Sequence, residues 1–200
     1  MASLKREGRK DRRREEILEA AERVFAEKGY HEAGIADIAG PLGLGHGTVY
    51  RYFKNKHDIA LHLFDRLMAR FAAIGLAEDP AAANTLDEYR AQVLRIARGW
   101  LDLAEQHPML VRFFHEQTGV VDMDRLASIV EGYVAITEQF LKNGVAKRFL
   151  RAQLDTRVTA EVLVAIIFEG TRRALGAGDA AARERWMAGA VALMFDGVRK

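Results

Sequence analysis

The stretch 38–53 constrains the fold more than any other, because two short apolar-patterned segments meet there at a glycine. Ile38 in the first segment and Val49 in the second are spaced so that one short helix packs across another, and Gly43 can take the positive φ of a tight turn. This spacing predicts a helix-turn-helix whose second helix covers about 45–53. A helix of that size, with its polar side exposed, fits the major groove of DNA.

Basic residues are concentrated directly before this motif. Residues 1–14 contain seven Lys or Arg and two acidic residues, a net charge of +5, whereas the remaining 186 residues sum to −3. A solvated flexible tail would have the same composition, but its position beside a helix-turn-helix favours a polyanionic partner, double-stranded DNA. We expect the basic side chains to lie along the DNA backbone or to enter the adjacent minor groove.

Composition disfavours several other classes of protein. The chain contains no cysteine, which excludes disulfides and thiolate metal sites and gives no reason to expect an oxidising compartment. The apolar run Val162–Phe168 is too short to span a bilayer, and the N-terminus lacks the apolar segment of a signal peptide. We therefore expect a soluble, cytoplasmic protein with no membrane partner. The six histidines show no metal-ligand spacing and no nucleophile motif is present, so we expect no metal, no cofactor and no enzyme.

Helical periodicity continues to the C-terminus, and no stretch alternates with period two for long enough to form a strand. The spacing predicts an all-α chain of about nine helices. Pro41 should distort the last turn of the second helix, because proline cannot donate the backbone hydrogen bond. The predicted helices cover roughly residues 11–28, 35–42, 45–53, 55–76, 85–106, 108–117, 126–144, 156–175 and 179–198.

A run of residues within 14–59 resembles the DNA-binding domain of the TetR family of bacterial transcriptional regulators. The residues that carry the resemblance are Arg14, Ile17, Leu18, Ala20, Ala21, Phe25, Gly29, Tyr30, Asp37, Ile38, Ala39, Leu42, Gly43, Gly47, Thr48, Val49, Tyr50, Arg51, Tyr52, Phe53, Lys56, Asp58 and Ile59. The resemblance implies an N-terminal three-helix DNA-binding domain with its basic arm in residues 1–54, and a helical ligand-binding and dimerisation domain in 55–200. It also implies a homodimer paired through the last two helices.

Two departures from the family pattern affect the DNA-facing helices. Gly34 and Gly45 stand where members usually carry a hydroxyl residue, so both helices lack a side-chain cap. Glycine is only a few tenths of a kcal/mol worse than serine as a cap. Pro41 replaces a helix-compatible residue.

The exposed side chains of the helix predicted at about 45–53 have the chemistry for DNA contact. Arg51 can bond guanine in bidentate fashion, and His46 can meet a base edge or a phosphate. Gly47 permits close backbone approach, while core packing is the alternative role for Tyr50 and Tyr52. The predicted DNA-binding residues are Arg9, Lys10, Arg12, Arg13, Gly45, His46, Gly47, Thr48, Tyr50, Arg51, Tyr52, Lys54 and Lys56.

The resemblance places a ligand pocket and a dimer interface on the later helices. Ordinary core packing is the alternative for any one of the pocket aromatics. The predicted pocket residues are Phe64, Met68, Phe71, Trp100, Phe113, Phe114, Gln117, Tyr133, Thr137 and Phe140. The predicted interface residues are Leu163, Ile167, Thr171, Trp186, Ala190, Leu193 and Met194.

These features predict a ligand-responsive transcriptional regulator, specifically a repressor that binds a pseudo-palindromic operator as a dimer. A small, largely apolar effector would release it. The alternative is a DNA-binding regulator without a small-molecule pocket, controlled by a protein partner. A pocket between the later helices would discriminate between the two hypotheses.

Overall fold

The computed structural model describes residues 2–107, 121–176 and 180–198. Within these ranges the chain forms eight α-helices, one short 3-10 helix and no strand. The all-α fold class predicted from the sequence is therefore confirmed. The predicted helix 108–117 lies outside the described residues.

Most predicted helices are found within a few residues of their expected bounds. The observed helices are α1 Ala2–Lys28, α2 Ile35–Ala39, the 3-10 helix Gly40–Leu42, α3 His46–Tyr50, α4 Lys56–Leu76, α5 Leu86–Gln106, α6 Met123–Ala146, α7 Thr156–Gly176 and α8 Ala180–Val198.

The first helix begins earlier than the sequence pattern predicts, at Ala2 rather than near residue 11. Hydrophobic periodicity does not predict this extension, because residues 2–10 carry too few apolar side chains to mark a buried face. Gly8 is the one weak helix former in that stretch, and it does not interrupt the helix. Ion pairs one turn further on stabilise α1. Arg12 and Arg13 both pair with Glu16, at 3.3 and 2.7 Å. The basic segment is therefore helical, not an extended arm.

The second predicted helix is divided, as Pro41 suggested. Regular α-helix stops at Ala39, and Pro41 lies in the first turn of the 3-10 helix that follows. The third helix is shorter than predicted because the amides of Arg51 and Tyr52 bond three residues back, to Thr48 and Val49. Tightened bonding of this kind is usual where a helix ends.

Two helices begin at reciprocal side-chain caps. The Asn55 side chain accepts the Asp58 amide at 2.8 Å, and Asp58 accepts the Lys54 amide at 2.8 Å. Thr85 accepts the Glu88 amide at 3.2 Å, and Glu88 accepts the Asn84 amide at 2.7 Å. These reciprocal bonds fix where α4 and α5 begin.

The described chain divides into two compact units. Residues up to Leu67 belong to the first, and residues 68–107 and 122 onward belong to the second. The division falls inside α4, whereas the boundary predicted from the sequence, after residue 54, lies just before this helix. In the first unit Ile17, Ile38, Val49 and Ile59 are fully buried, and in the second Leu141 and Ala160 are.

The second unit is built from long helices. α6 packs along α7 and α7 against α8, and α5 contacts both α6 and α8. Among the described helices, none is both long enough and apolar enough to cross a bilayer.

Candidate nucleic-acid interface and ligand cavity

The turn between α2 and α3 has the geometry that its sequence predicts. Gly43 adopts φ +63°, its amide bonds the Gly40 carbonyl at 3.0 Å, and the Leu44 amide bonds the Ala39 carbonyl at 3.0 Å. A residue with a side chain would be strained at that φ. Ile38 and Val49 are both fully buried, so the two helices are held together on their inner side. The outer side of α3 is left to solvent.

Several of the predicted DNA-binding residues form one exposed face. His46, Gly47, Tyr50 and Arg51 are exposed, with 53% of the Tyr50 surface accessible. Arg51 makes no ion pair with a described residue, so its guanidinium is available to a base edge. The remaining helix-turn-helix residues differ in exposure: Gly45 and Lys54 are exposed, and Thr48 and Tyr52 are half-buried.

Lys56 differs from the other predicted phosphate contacts because its ammonium group already has partners within the protein. Its Nζ donates to the carbonyls of Tyr30, His31 and Ala33 at 2.6, 3.0 and 2.8 Å. The same atom lies 4.6 Å from the Tyr30 ring centroid. Lys56 therefore closes the loop between α1 and α2, and a phosphate contact would have to compete with these bonds. Sequence patterning does not reveal this role, because the partners lie about 25 residues away.

Two further polar contacts position the helix-turn-helix, and neither was singled out from the sequence. Asp37 accepts the Gly34 amide at 2.8 Å and pairs with Lys28. The Lys28 ammonium, and secondarily the Gly34 amide, hold the pKa of the Asp37 carboxyl below its usual value. Asp37 thus satisfies the α2 N-terminus, for which Gly34 supplies no side chain.

Arg14 joins α1 to the end of the helix-turn-helix. Its guanidinium lies 5.0 Å from the Phe53 ring centroid and 2.6 Å from His62. His62 is also 3.6 Å from Asp58. Arg14 therefore packs within the first unit, whereas Arg9 and Lys10 are exposed on α1.

The second unit contains a cavity of about 160 Å³. Residues of α4, α5, α6, α7 and α8 line it, and nearly all of them are apolar. The lining includes Ala72, Gly75, Tyr89, Val93, Ile96, Trp100, Tyr133, Ile136, Thr137, Phe140, Leu163, Ile166, Ile167, Gly170, Trp186, Met187, Ala190 and Met194.

Two aromatic residues of the wall bond their polar atoms to backbone carbonyls. The Trp100 indole N–H donates to the Phe71 carbonyl, and the Tyr133 hydroxyl donates to the Met68 carbonyl, both at 2.8 Å. The two rings meet edge to face, with centroids 6.1 Å apart. Burial raises the pKa of Tyr133, which keeps its hydroxyl protonated as a donor. The cavity therefore presents ring faces and methylenes to an occupant.

The structure brings together part of the predicted pocket. Trp100, Tyr133, Thr137 and Phe140 line the cavity. Phe64, Met68 and Phe71 do not belong to the lining: Phe64 lies in the core of the first unit, and Met68 and Phe71 supply the two backbone carbonyls described above. The predictions for Phe113, Phe114 and Gln117 fall outside the described residues.

Most of the predicted interface residues also line the cavity. Leu163, Ile167, Trp186, Ala190 and Met194 are part of its wall, so they belong to the inner side of α7 and α8. Leu193 is 63% exposed, and the side chain of Thr171 is outside the described set. The sequence could not separate the two sides because both are apolar. Among the side chains that the structure describes on these helices, Val158, Val162 and Leu193 are large, apolar and exposed.

A family model and curated relatives match this chain. The model of bacterial regulatory proteins, tetR family, matches residues 17–63. The fatty acid metabolism regulator protein of Bacillus subtilis (strain 168) is 31% identical over 156 residues, covering 77% of this chain and 79% of that protein. The regulator AcrR of Shigella flexneri is 23% identical, covering 75% of this chain and 72% of its own length.

Solved structures share the fold. The regulator FadR from Bacillus subtilis, in complex with stearoyl-CoA, superposes with a TM-score of 0.73 at 23% identity, covering 92% of this chain and 98% of that chain. SmeT, the repressor of a Stenotrophomonas maltophilia multidrug efflux pump, has a TM-score of 0.73 at 19% identity, covering 94% and 90%. The chain belongs to the TetR family of bacterial regulatory proteins and is a DNA-binding regulator of transcription.

Proposed function

We propose that this regulator is a repressor that binds a pseudo-palindromic operator as a homodimer and is released when an effector with an acyl chain enters its cavity. The observation that carries the proposal is the apolar cavity in the second unit, walled by five helices. Apolar pockets between helices are a common place for small-molecule ligands. The same cavity favours this hypothesis over control by a protein partner alone.

The acyl class is supported by the relatives and by the chemistry of the wall. A relative carries the name fatty acid metabolism regulator, and FadR was solved with stearoyl-CoA. Each methylene transferred from water to an apolar wall contributes about 0.8 kcal/mol, and a saturated chain makes no demand for polar partners. Ring faces and aliphatic side chains suit such an occupant.

The size of the cavity suggests how a bound effector changes the position of a helix. At about 160 Å³ it is smaller than the roughly 300–1,000 Å³ of typical drug-sized pockets. A long acyl chain must therefore displace wall residues. Helix α4 supplies Ala72 and Gly75 to the wall, and its other end begins at Lys56 in the DNA-binding unit. Movement of α4 is thus a route to the helix-turn-helix, for which a coupling of about 1–3 kcal/mol is typical.

Two copies are needed to present two recognition helices about 34–36 Å apart, one to each half-site. We assign the dimer contact to the outer side of α7 and α8. Val158, Val162 and Leu193 are 52%, 53% and 63% exposed there. Gly189, also on α8, has open space around the position of a Cβ, which permits close helix approach. The exposed face formed by His46, Tyr50 and Arg51 would enter the major groove.

The test uses a substitution that fills the cavity. A Cβ on Gly75 would meet only Ile136, at 3.7 Å, so Gly75→Leu places a side chain in the cavity without a backbone clash. We expect stearoyl-CoA to dissociate the wild-type protein from operator DNA, as measured by fluorescence anisotropy. The filled variant should bind the same DNA and stay bound when stearoyl-CoA is added.

Gly132→Leu is the matched control, because Gly132 is exposed on α6 with nothing within 4 Å of a new Cβ. This variant should respond as the wild type does. The effector proposal is wrong if acyl-CoA leaves the wild-type complex intact, or if both variants respond equally. Protection of a single half-site in a footprint would contradict the dimer.

A further inference from the structure

One wall of the cavity is formed by an aromatic ring that rests on a glycine. Gly170 of α7 and Trp186 of α8 both line the cavity. A Cβ built on Gly170 would overlap the indole Nε1, and would lie 2.5 Å from Cδ1 and 2.6 Å from Cε2. Those distances are far below any real carbon contact. The indole of Trp186 therefore occupies the space that a side chain at 170 would need.

Three other large rings of the wall are fixed by contacts within the second unit. Trp100 and Tyr133 are fixed through hydrogen bonds to the Phe71 and Met68 carbonyls. Tyr89 is fixed by burial against two rings, with centroid distances of 5.8 and 5.7 Å to Phe149 and Phe195. Removing one of these rings would disturb helix packing as well as the cavity. Trp186 is half-buried and packs directly against the α7 backbone at Gly170.

We propose that the Trp186 indole, seated on Gly170, is the wall that sets the longest acyl chain the cavity admits. The inference rests on the proposed function, because a length limit has meaning only for an effector that occupies the cavity. The glycine lets the indole Nε1 approach the α7 backbone, which leaves the remaining space to the ligand. Truncating the ring opens the cavity along the chain, and adding a methyl group beneath it pushes the ring into that space.

The experiment measures dissociation constants of the full-length protein for saturated acyl-CoA thioesters from octanoyl to stearoyl. Each added methylene should tighten binding about fourfold until the chain reaches the wall, after which the affinity levels off. In Trp186→Ala the increase should continue, so that stearoyl-CoA binds more than tenfold tighter than to the wild type. In Gly170→Ala the affinity should level off at a shorter chain.

Gly132→Ala makes the same change on an exposed helix surface and should leave the chain-length profile of the wild type unaltered. The inference is overturned if the wild type and Trp186→Ala level off at the same chain length. That result would leave the proposed function standing, since the series would still bind. If no member of the series binds the wild type, the proposed function fails and this inference fails with it.

Fluorescence provides a second measurement that keeps the Trp186 ring in place. The chain contains two tryptophans, so the Trp100→Phe variant has Trp186 as its only indole fluorophore. The emission wavelength of Trp186 should begin to shift at the acyl-chain length where the affinity levels off, because the end of the acyl chain then meets the ring. Emission that stays constant across the whole series would contradict contact between the effector and Trp186.

Discussion

The helices of the two units differ in amphipathic character. In the first unit α3 buries Val49 and exposes His46, Tyr50 and Arg51, so one side is inside and the other faces outward. In the second unit α7 is apolar on both sides. Leu163 lines the cavity, while its neighbour Val162 is 53% exposed.

This difference explains why periodicity separates the two sides of a helix in the first unit but not along the apolar run of α7. Periodicity identifies the buried face of a helix when polar residues mark the opposite face. Between Val162 and Phe168 α7 carries no polar residue, so over this run the pattern could not say which side is which. The proposed dimer contact places the exposed side of α7, where Val158 and Val162 lie one turn apart, against a second copy of the chain.

The largest effect expected from this comparison concerns neighbouring residues of α7. Val162→Asp should separate the dimer, because it places two like charges on a proposed contact, and operator affinity should fall roughly a hundredfold or more as bivalence is lost. Leu163→Asp should keep the dimer and lose acyl-CoA binding, because it puts a carboxylate in the cavity wall. Light scattering and DNA binding measure the two outcomes. If Val162→Asp remains dimeric, the dimer contact does not lie on this side of α7.

Lys56 and Lys54 distinguish two roles in the first unit. Lys56 stabilises the fold, and Lys54 is proposed to contact DNA. Lys56→Met should lower the free energy of unfolding by about 1.5–3 kcal/mol, since three carbonyls lose a charged donor. Lys54→Met should leave thermal unfolding unchanged, and should weaken binding to all DNA sequences and flatten its salt dependence. Equal stability of the two variants would show that the carbonyl contacts contribute nothing.

Arg51 tests whether the exposed face of α3 distinguishes sequences. Arg51→Ala should lose about 1–3 kcal/mol of discrimination between the operator and a site with one altered guanine. Lys54→Met is again the control, because a lost phosphate contact weakens both sites alike. Competition binding on the two DNA duplexes gives the ratio directly. An unchanged ratio for Arg51→Ala would remove this residue from base recognition.

The smallest effect concerns Asp37 and depends on pH. Its pKa is lowered in the folded protein by Lys28 and the Gly34 amide, so its contribution to stability is full above the ordinary carboxyl pKa. That contribution is lost as the pH falls through the lowered value. Asp37→Asn should therefore unfold at a lower temperature than the wild type near neutral pH, and the difference should disappear in acid. A difference that stays constant with pH would argue against the ion pair.

The sequence by itself determined the local features of this protein. Gly43, Ile38 and Val49 predict the turn and its packing, because positive φ and close helix contact depend on residue type within a few positions. The caps at Asn55 and Thr85 and the break at Pro41 follow from the same short-range hydrogen bonding. The long run of matching residues within 14–59 was sufficient to indicate the family.

Tertiary structure alone decided which residues meet across long separations. Lys56 finds carbonyls about 25 residues away, and Trp186 finds Gly170, a contact that spacing along one helix does not encode. It also decided that Leu163 faces a cavity and Val162 faces solvent. The physical reason is that burial depends on what packs against a helix, and an all-apolar helix accepts a neighbour on either side.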